Sequence, residues 1–250
     1  MLTEERQQKI LELVEKNKSI STQSLMEELN ISESTARRDL NMLDEQGRLS
    51  RVRGGAMIKD APYHTKDDDV SLRKSMNQGE KREIARYAAS LIEPDDFVFL
   101  DAGTTTELMI EYLTEKRAVF VTNALSHAQK LSEAGYTTYI PGGEFKATTG
   151  AVVGDEAVES LRKYNFTKGF WGTNGVSMSM GFSTPDVKEA MIKKTAMASS
   201  AKRYVLCDSS KFSQISCVKF AEFTHAVIIT TEVPGDGFSH CNNIVEVKKL

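Results

Sequence analysis

The 250-residue chain predicts a mixed α/β protein of two units, a small helical one with a β-hairpin and then an open sheet of alternating strands and helices. Three observations carry this. Up to about residue 57, apolar residues recur at helical spacing in short segments. Beyond about residue 75, short β-branched runs alternate with amphipathic stretches. Between them lies a polar, charged stretch with one proline, Met57-Ile-Lys-Asp-Ala-Pro-Tyr-His-Thr-Lys-Asp-Asp-Asp69. The expected division is 1–57, a linker over 58–75, and 76–250.

In the first unit, residues 4–17 carry Ile10, Leu13 and Val14 on one helical face. Ser21 is placed to cap a second helix holding Leu25, Met26 and Leu29. After the break at Asn30-Ile31, Ser32 opens a third helix to about Leu43, with Ala36, Leu40 and Leu43 facing inward. Gly47 ends it, and Leu49-Ser-Arg-Val-Arg53 with Gly54-Gly55 reads as a hairpin, or wing. Two short helices joined by a tight turn and followed by a wing describe a winged helix-turn-helix. The outward residues of the third helix, Ser34, Thr35, Arg37 and Arg38, suit base edges and phosphates. Arg51 and Arg53 in the wing suit flanking backbone. Residues 34–59 hold six basic residues against three acidic ones, so positive charge gathers where DNA would lie.

The rest of the chain sets limits. A net charge of −3 argues against a surface coated for general polyanion binding. Cys207, Cys217 and Cys241 are odd in number and form no Cys-x-x-Cys pair, which argues against a disulfide framework or zinc site and for a reducing compartment. No apolar run approaches the ~20 residues of a membrane span, and the opening MLTEERQQKI lacks the apolar core of a signal peptide. A cytoplasmic protein without a membrane partner is expected.

In the second unit, residues 77–92 form an amphipathic helix with Ile84, Ala85, Ala88, Leu91 and Ile92 on one face. Strands are expected at Phe97–Leu100, Ala118–Val121, Thr137–Ile140, Gly169–Gly172, Tyr204–Cys207 and Ala226–Thr230, with a last one at Ile244–Val247. Ligands of such sheets bind at the carboxyl ends of strands. The polar residues fall there: Asp101, Thr104 to Thr106, Thr122-Asn123, Gly142-Gly143, Asn174-Gly175 and Lys211. Gly103-Thr-Thr-Thr106, between a strand and a helix, combines a close-approach glycine with three hydroxyls, a cradle for phosphate. Neither nucleotide-binding glycine motif occurs, so no ATP or NAD cofactor is expected, and no nucleophile–base pair compels catalysis.

Ser32-Glu-Ser-Thr-Ala-Arg-Arg-Asp-Leu40 followed by Gly54-Gly55-Ala56 resembles the N-terminal signature of DeoR-type bacterial transcriptional regulators. Phe99-Leu-Asp-Ala-Gly-Thr-Thr-Thr106, Val121-Thr-Asn-Ala124, Gly172-Thr-Asn-Gly175, Glu189-Ala190 with Lys193, and Asp208-Ser-Ser-Lys-Phe212 resemble that family's effector domain. The resemblance covers the chain to about residue 230. It implies an effector domain similar in fold to ribose-5-phosphate isomerase and a phosphorylated sugar as effector. It implies that Gly103, Thr104, Thr105 and Thr106 bind phosphate and that Asp101, Asn123, Glu189 and Lys211 line the sugar site. Arg53, Ala36, Lys168, Trp171 and Thr231 depart from the family's usual residues. The expectation is a repressor that binds double-stranded operator DNA as a homo-oligomer, dimer or tetramer, and is released by a sugar phosphate. The opening residues and the wing look most like fructose-operon repressors, which answer to fructose 1-phosphate; tagatose 6-phosphate is the nearest alternative. An activator, or an isomerase-like enzyme with Asp101, Glu189 and Lys211 in its chemistry, are the competing readings; the expectation is no enzyme, no cofactor and no metal.

Overall fold

The computed structural model describes residues 3–17, 19–52, 54–58, 63–64, 70–233, 238 and 240–247. The first unit holds α1 (Thr3–Asn17), β1 (Ser19–Ser21), α2 (Thr22–Leu29), α3 (Glu33–Glu45), β2 (Leu49–Val52) and β3 (Gly55–Ile58). Both expected serine caps are present. Ser21 Oγ accepts from the Ser24 amide at 2.9 Å, and Ser32 Oγ from the Thr35 amide at 3.3 Å. Asn30 breaks the chain between α2 and α3 in the left-handed region, φ 50°. Ile10, Val14, Leu25, Ala36, Leu40, Leu43, Leu49 and Ala56 are buried together.

The wing is part of a three-stranded antiparallel sheet in the order β1-β3-β2. The strand β1 is not evident in the sequence. Its presence explains Gly55, where a Cβ would stand 2.1 Å from the Ile20 carbonyl oxygen. Asp39, in the middle of the Arg-Arg-Asp-Leu run, faces inward. It takes a two-pronged contact from Arg6 of α1, Nε at 2.5 Å and Nη2 at 3.1 Å.

Parts of the 58–75 stretch are ordered elements. Tyr63–His64 (β4) lies in a sheet with a strand of the second unit, and Val70–Ser75 (α4) is helical; residues 59–62 and 65–69 lie outside the described residues.

The second unit continues with α5 (Gln78–Ser90), β5 (Phe97–Leu100), α6 (Thr104–Met109), β6 (Val119–Thr122), α7 (Leu125–Glu133) and β7 (Thr137–Tyr139). The hairpin β8 (Glu144–Lys146) and β9 (Ala151–Val153) leads to α8 (Asp155–Leu161) and β10 (Phe166–Gly172). Then come β11 (Gly175–Ser177), β12 (Gly181–Thr184), α9 (Val187–Ala198), β13 (Ser200–Leu206), β14 (Ile215–Ser216), β15 (Val218–Ala221), β16 (Val227–Thr230) and β17 (Ile244–Glu246). Seven strands form one parallel sheet in the order β17-β16-β13-β10-β5-β6-β7. Strands β11, β12 and β15 make a small antiparallel sheet, and β14 pairs with β4.

Alternation along the strands sorts the core into two layers. Val98 and Leu100 of β5 pack with Ile84, Ala85, Ala88, Met109 and Leu131 of α5, α6 and α7. Phe99 faces the other way, among Ala157 and Leu161 of α8 and Ile192 and Ala196 of α9. The expected strands are all present, each within a few residues of its expected bounds, whereas α8, α9 and the small sheet were not anticipated. The chain runs outward from β5 through β6 to β7, then returns to β10 on the other side and runs outward again. The order therefore reverses between β5 and β10, and their carboxyl ends flank a crevice.

Candidate functional site

The loop after β5 and the end of β10 meet at this crevice. Gly103, at the N-cap of α6, and Gly172, at the end of β10, lie so close that a Cβ on Gly103 would stand 3.7 Å from the Gly172 Cα and 3.0 Å from Thr106 Oγ1. Small residues thus keep the floor of the crevice thin. The opening amides of α6 have no intrahelical partner, as at any helix start. Thr104 and Thr105 line the crevice beside Gly103. The cleft holds about 630 Å³ of space outside protein atoms, part of it open to solvent.

Four cations from four elements line it: Arg73 of α4, Lys81 of α5, Lys193 of α9 and Lys211 of the 3-10 turn Ser209–Lys211. Lys193 donates to Asp101 Oδ2 and to the Gly172 carbonyl, the latter at 3.2 Å. Lys81 donates to the Arg73 carbonyl. Burial lowers the Lys81 pKa, Arg73 and Lys211 push it the same way, and Asp208 opposes them. Two carboxylates share the lining, each already engaged. Asp208 accepts from Asn77 Nδ2 at 2.8 Å and from Ser210. Glu189 Oε1 accepts from Lys146 at 3.0 Å and Thr149 Oγ1 at 2.6 Å. Burial pushes the Cys207 thiol well up, which leaves it a protonated, inert wall.

The residues expected from the sequence separate into two kinds. Gly103, Thr104, Thr105, Glu189 and Lys211 line the cleft. Asp101, Thr106 and Asn123 are buried behind it and hold the loop. Besides Lys193, Asp101 Oδ2 accepts the Gly172 amide at 3.0 Å. Thr106 Oγ1 donates to the Asp101 and Gly103 carbonyls at 2.7 and 2.8 Å, so this hydroxyl points back into the loop. Asn123 Oδ1 accepts from the Ala102 amide at 3.1 Å, and its Nδ2 donates to the Val152 carbonyl. Arg73, Lys81 and Lys193 were absent from the expected set. Lys81 carried a signal: with Ile84, Ala85 and Ala88 it continues the apolar stripe of α5, an unusual seat for a lysine.

The departures from the family pattern lie elsewhere. Lys168, near the start of β10, is buried and bonds Glu93 at 2.5 Å, Asp96 at 2.6 Å and the Leu91 carbonyl, at the opposite end of the strand from Gly172. Trp171 is fully buried in the core. Its ring lies across Gly169, where a Cβ would come within 2.1 Å. Thr231 Oγ1 donates to Glu80 at 2.7 Å.

On α3, Arg37 and Arg38 are exposed. Arg37 reaches back to Glu33 at 2.5 Å, whereas Arg38 has no ion pair among the described residues. Ser34 and Thr35 stand beside the Ser32 hydroxyl at 3.0 and 2.9 Å. Arg51 is half-buried, with its amide bonded to Asp44 and its Nη1 buried without a partner among the described residues. Arg53 lies outside the described residues. Among the described residues no cluster fits a metal ion, and no helix is long and apolar enough to cross a membrane.

A family model described as the DeoR-like helix-turn-helix domain matches residues 6–61, and one described as the DeoR C terminal sensor domain matches residues 76–233. A Bacillus subtilis (strain 168) protein, FruR, described as an uncharacterised HTH-type transcriptional regulator, is 43% identical over 93% of this chain and 92% of its own. The lactose phosphotransferase system repressor of Staphylococcus aureus (strain N315) is 33% identical over 91% of each. Among solved structures, ribose 5-phosphate isomerase A from Methanocaldococcus jannaschii aligns at 16% identity and a TM-score of 0.40, over 54% of this chain and 55% of that one, too distant to bear on function.

Proposed function

The chain belongs to the DeoR family of transcriptional regulators, and on that premise we propose that it represses a sugar-utilisation operon and is released from its operator by a phosphorylated sugar. The observation that carries the effector reading is the meeting of four cations from four elements with the Gly103–Thr105 backbone at the switch point. Such a set suits a phosphate dianion: the cations supply charge, and the hydroxyls and amides supply directed donors. Arg73, Lys81, Lys193 and Lys211 with Thr104 and Thr105 contact the effector, Glu189 borders its sugar, and Asp101, Thr106 and Asn123 position the loop. Fructose 1-phosphate is the first candidate, supported by the likeness to FruR, and tagatose 6-phosphate the second.

The same reading takes residues 1–57 as the DNA-binding unit and 76–250 as the effector unit of a cytoplasmic homo-oligomer. In a dimer, two α3 helices meet half-sites about 34 Å or a multiple apart. Arg37 and Arg38 anchor phosphates or guanines, Ser34 and Thr35 touch bases or backbone, and Arg51 and Arg53 hold flanking backbone. An effector coupling of roughly 1–3 kcal/mol, a factor of about 5–150, suffices to switch occupancy. The test is fluorescence anisotropy at fixed salt on DNA from upstream of the protein's own gene, with a scrambled duplex as control and both sugar phosphates added. Specific binding undone by one of them is the expected result. Equal, weak binding to both duplexes and to genome-selected DNA, or turnover of the sugar phosphates, overturns the proposal.

A further inference from the structure

Adjoining the cleft lies a second, smaller space, with room for little more than one water-sized group and part of its mouth open to solvent. Arg73, Ala102, Gly103 and Thr104 border both. The small cavity is completed chiefly by Glu107, Ser126, His127 and Thr149. His127, on α7, is 3% exposed, and its Nδ1 is buried with no hydrogen-bond partner among the described residues. Nε of Arg73, a residue that lines both spaces, is likewise buried with no hydrogen-bond partner among the described residues. Buried polar atoms left in this way are rare and costly in folded proteins, so two beside one loop call for an explanation.

Two of the other polar walls are committed. Glu107 holds Lys74 and Lys130 at 2.8 and 2.9 Å, and Thr149 Oγ1 donates to Glu189. Burial lowers the His127 pKa to about 4, so the ring is neutral near pH 7, with Glu107 and Asp101 opposing the shift and Lys130 and Lys74 adding to it. A neutral imidazole donates from one nitrogen and accepts at the other. The unpartnered Nδ1 can therefore meet a hydroxyl in either tautomer, because a hydroxyl both donates and accepts, whereas a fully ionised oxygen is accepted only when Nδ1 carries the proton. The two spaces therefore differ in kind: cations dominate the cleft, whereas the free polar atom of His127 in the smaller space is neutral.

We propose that His127 is a specificity-determining residue that binds a hydroxyl of the sugar effector in this second cavity while the phosphate sits in the cleft. The inference rests on the sugar-phosphate reading and adds the residue that tells one sugar from another. It is tested on the full chain by calorimetry with fructose 1-phosphate, tagatose 6-phosphate and inorganic phosphate, for wild type, His127→Leu and His127→Gln. The expected result is that His127→Leu binds inorganic phosphate as wild type does and the effective sugar phosphate more than roughly tenfold more weakly, with partial recovery in His127→Gln. Equal sugar-phosphate affinity in wild type and His127→Leu overturns the proposal. So does a parallel loss of inorganic phosphate, which makes His127 a support of the loop. If wild type binds inorganic phosphate but neither sugar phosphate, the effector reading fails and takes this inference with it. Should His127→Leu fail to fold, the wild-type imidazole decides. Its Nδ1 resonance shifts on adding the sugar phosphate and stays put with inorganic phosphate; an unmoved resonance with both overturns the proposal.

Discussion

Arg37 and Arg38 are neighbours in sequence but differ in circumstance, since one reaches back to Glu33 and the other has no ion pair among the described residues. An exposed i,i+4 pair is worth little and exchanges readily for a phosphate. Replacing either by Ala is expected to weaken operator binding by about 1–3 kcal/mol, roughly 5- to 150-fold, with the thermal midpoint unchanged. Wild-type affinity in both variants would remove α3 as the reading element. Thr105→Glu places a carboxylate where the phosphate is proposed to sit. The variant should bind operator normally and lose release by sugar phosphate, because like charges in one site cost several kcal/mol; normal release in an anisotropy titration would count against the phosphate loop. His127 gives a pH signature. Its folded pKa, about 4, lies below the 6.5 of an exposed imidazole, so the unfolded chain binds the proton first as pH falls. Stability attributable to this ring is full above pH 6.5 and declines by about 3 kcal/mol toward pH 4. Urea midpoints for wild type and His127→Gln should converge over that window; parallel curves would show that the ring is not held neutral.

Helix α3 has two faces with separate duties, and the Arg-Arg-Asp-Leu run is split between them, its two arginines outward and Asp39 and Leu40 inward. Asp39 ties α3 to α1 through Arg6, and Leu40 is fully buried. Asp39→Ala should cost about 1.5–3 kcal/mol by removing the charge-assisted hydrogen bonds from Arg6, and Leu40→Ala about 2–5 kcal/mol by leaving a cavity. Chemical denaturation of the N-terminal unit measures both, and a loss under 1 kcal/mol would mean the face is mis-assigned. This inward duty of Asp39 was hidden in the sequence, where it sits inside a run that reads as polar. The parallel strands were legible because each is a short apolar run closed by turn residues, and a strand buried on both faces needs that composition. Strand β1 was not, because Ser19–Ser21 gains its pairing only from β3, more than thirty residues on. Lys193, named in the sequence only as part of the resemblance to the effector domain, was not placed at the site for a related reason. Helix α9 is buried on several sides, so it lacks a clean polar–apolar stripe, and its Glu189 and Lys193, four apart, were not read as one face of a helix. Arg73 fell within the stretch expected to be a linker.

For the whole molecule, the cationic cleft couples ligand charge to protons. Lys81 has its pKa lowered chiefly by burial, with help from Arg73 and Lys211. An anion in the cleft favours the ammonium and moves that pKa back up. Sugar-phosphate binding in alkaline solution should therefore take up protons, and affinity should fall as pH rises toward 10.5. Calorimetry in buffers of different ionisation enthalpy reads the uptake directly; a heat independent of buffer would exclude it. Operator binding, by contrast, should weaken steeply with salt, since it rests on phosphate contacts. The pairing of Tyr63–His64 with Ile215–Ser216 has a mechanical consequence. Only five residue steps separate Ile58, the end of the wing, from Tyr63, so these two residues lie at most about 18 Å apart. While that two-residue ladder holds, each reading head is tethered within a short radius of its own sensor. In the proposed dimer this would make the protein a ruler: half a helical turn of extra DNA between half-sites turns one target to the far side of the duplex, and operator affinity should fall sharply.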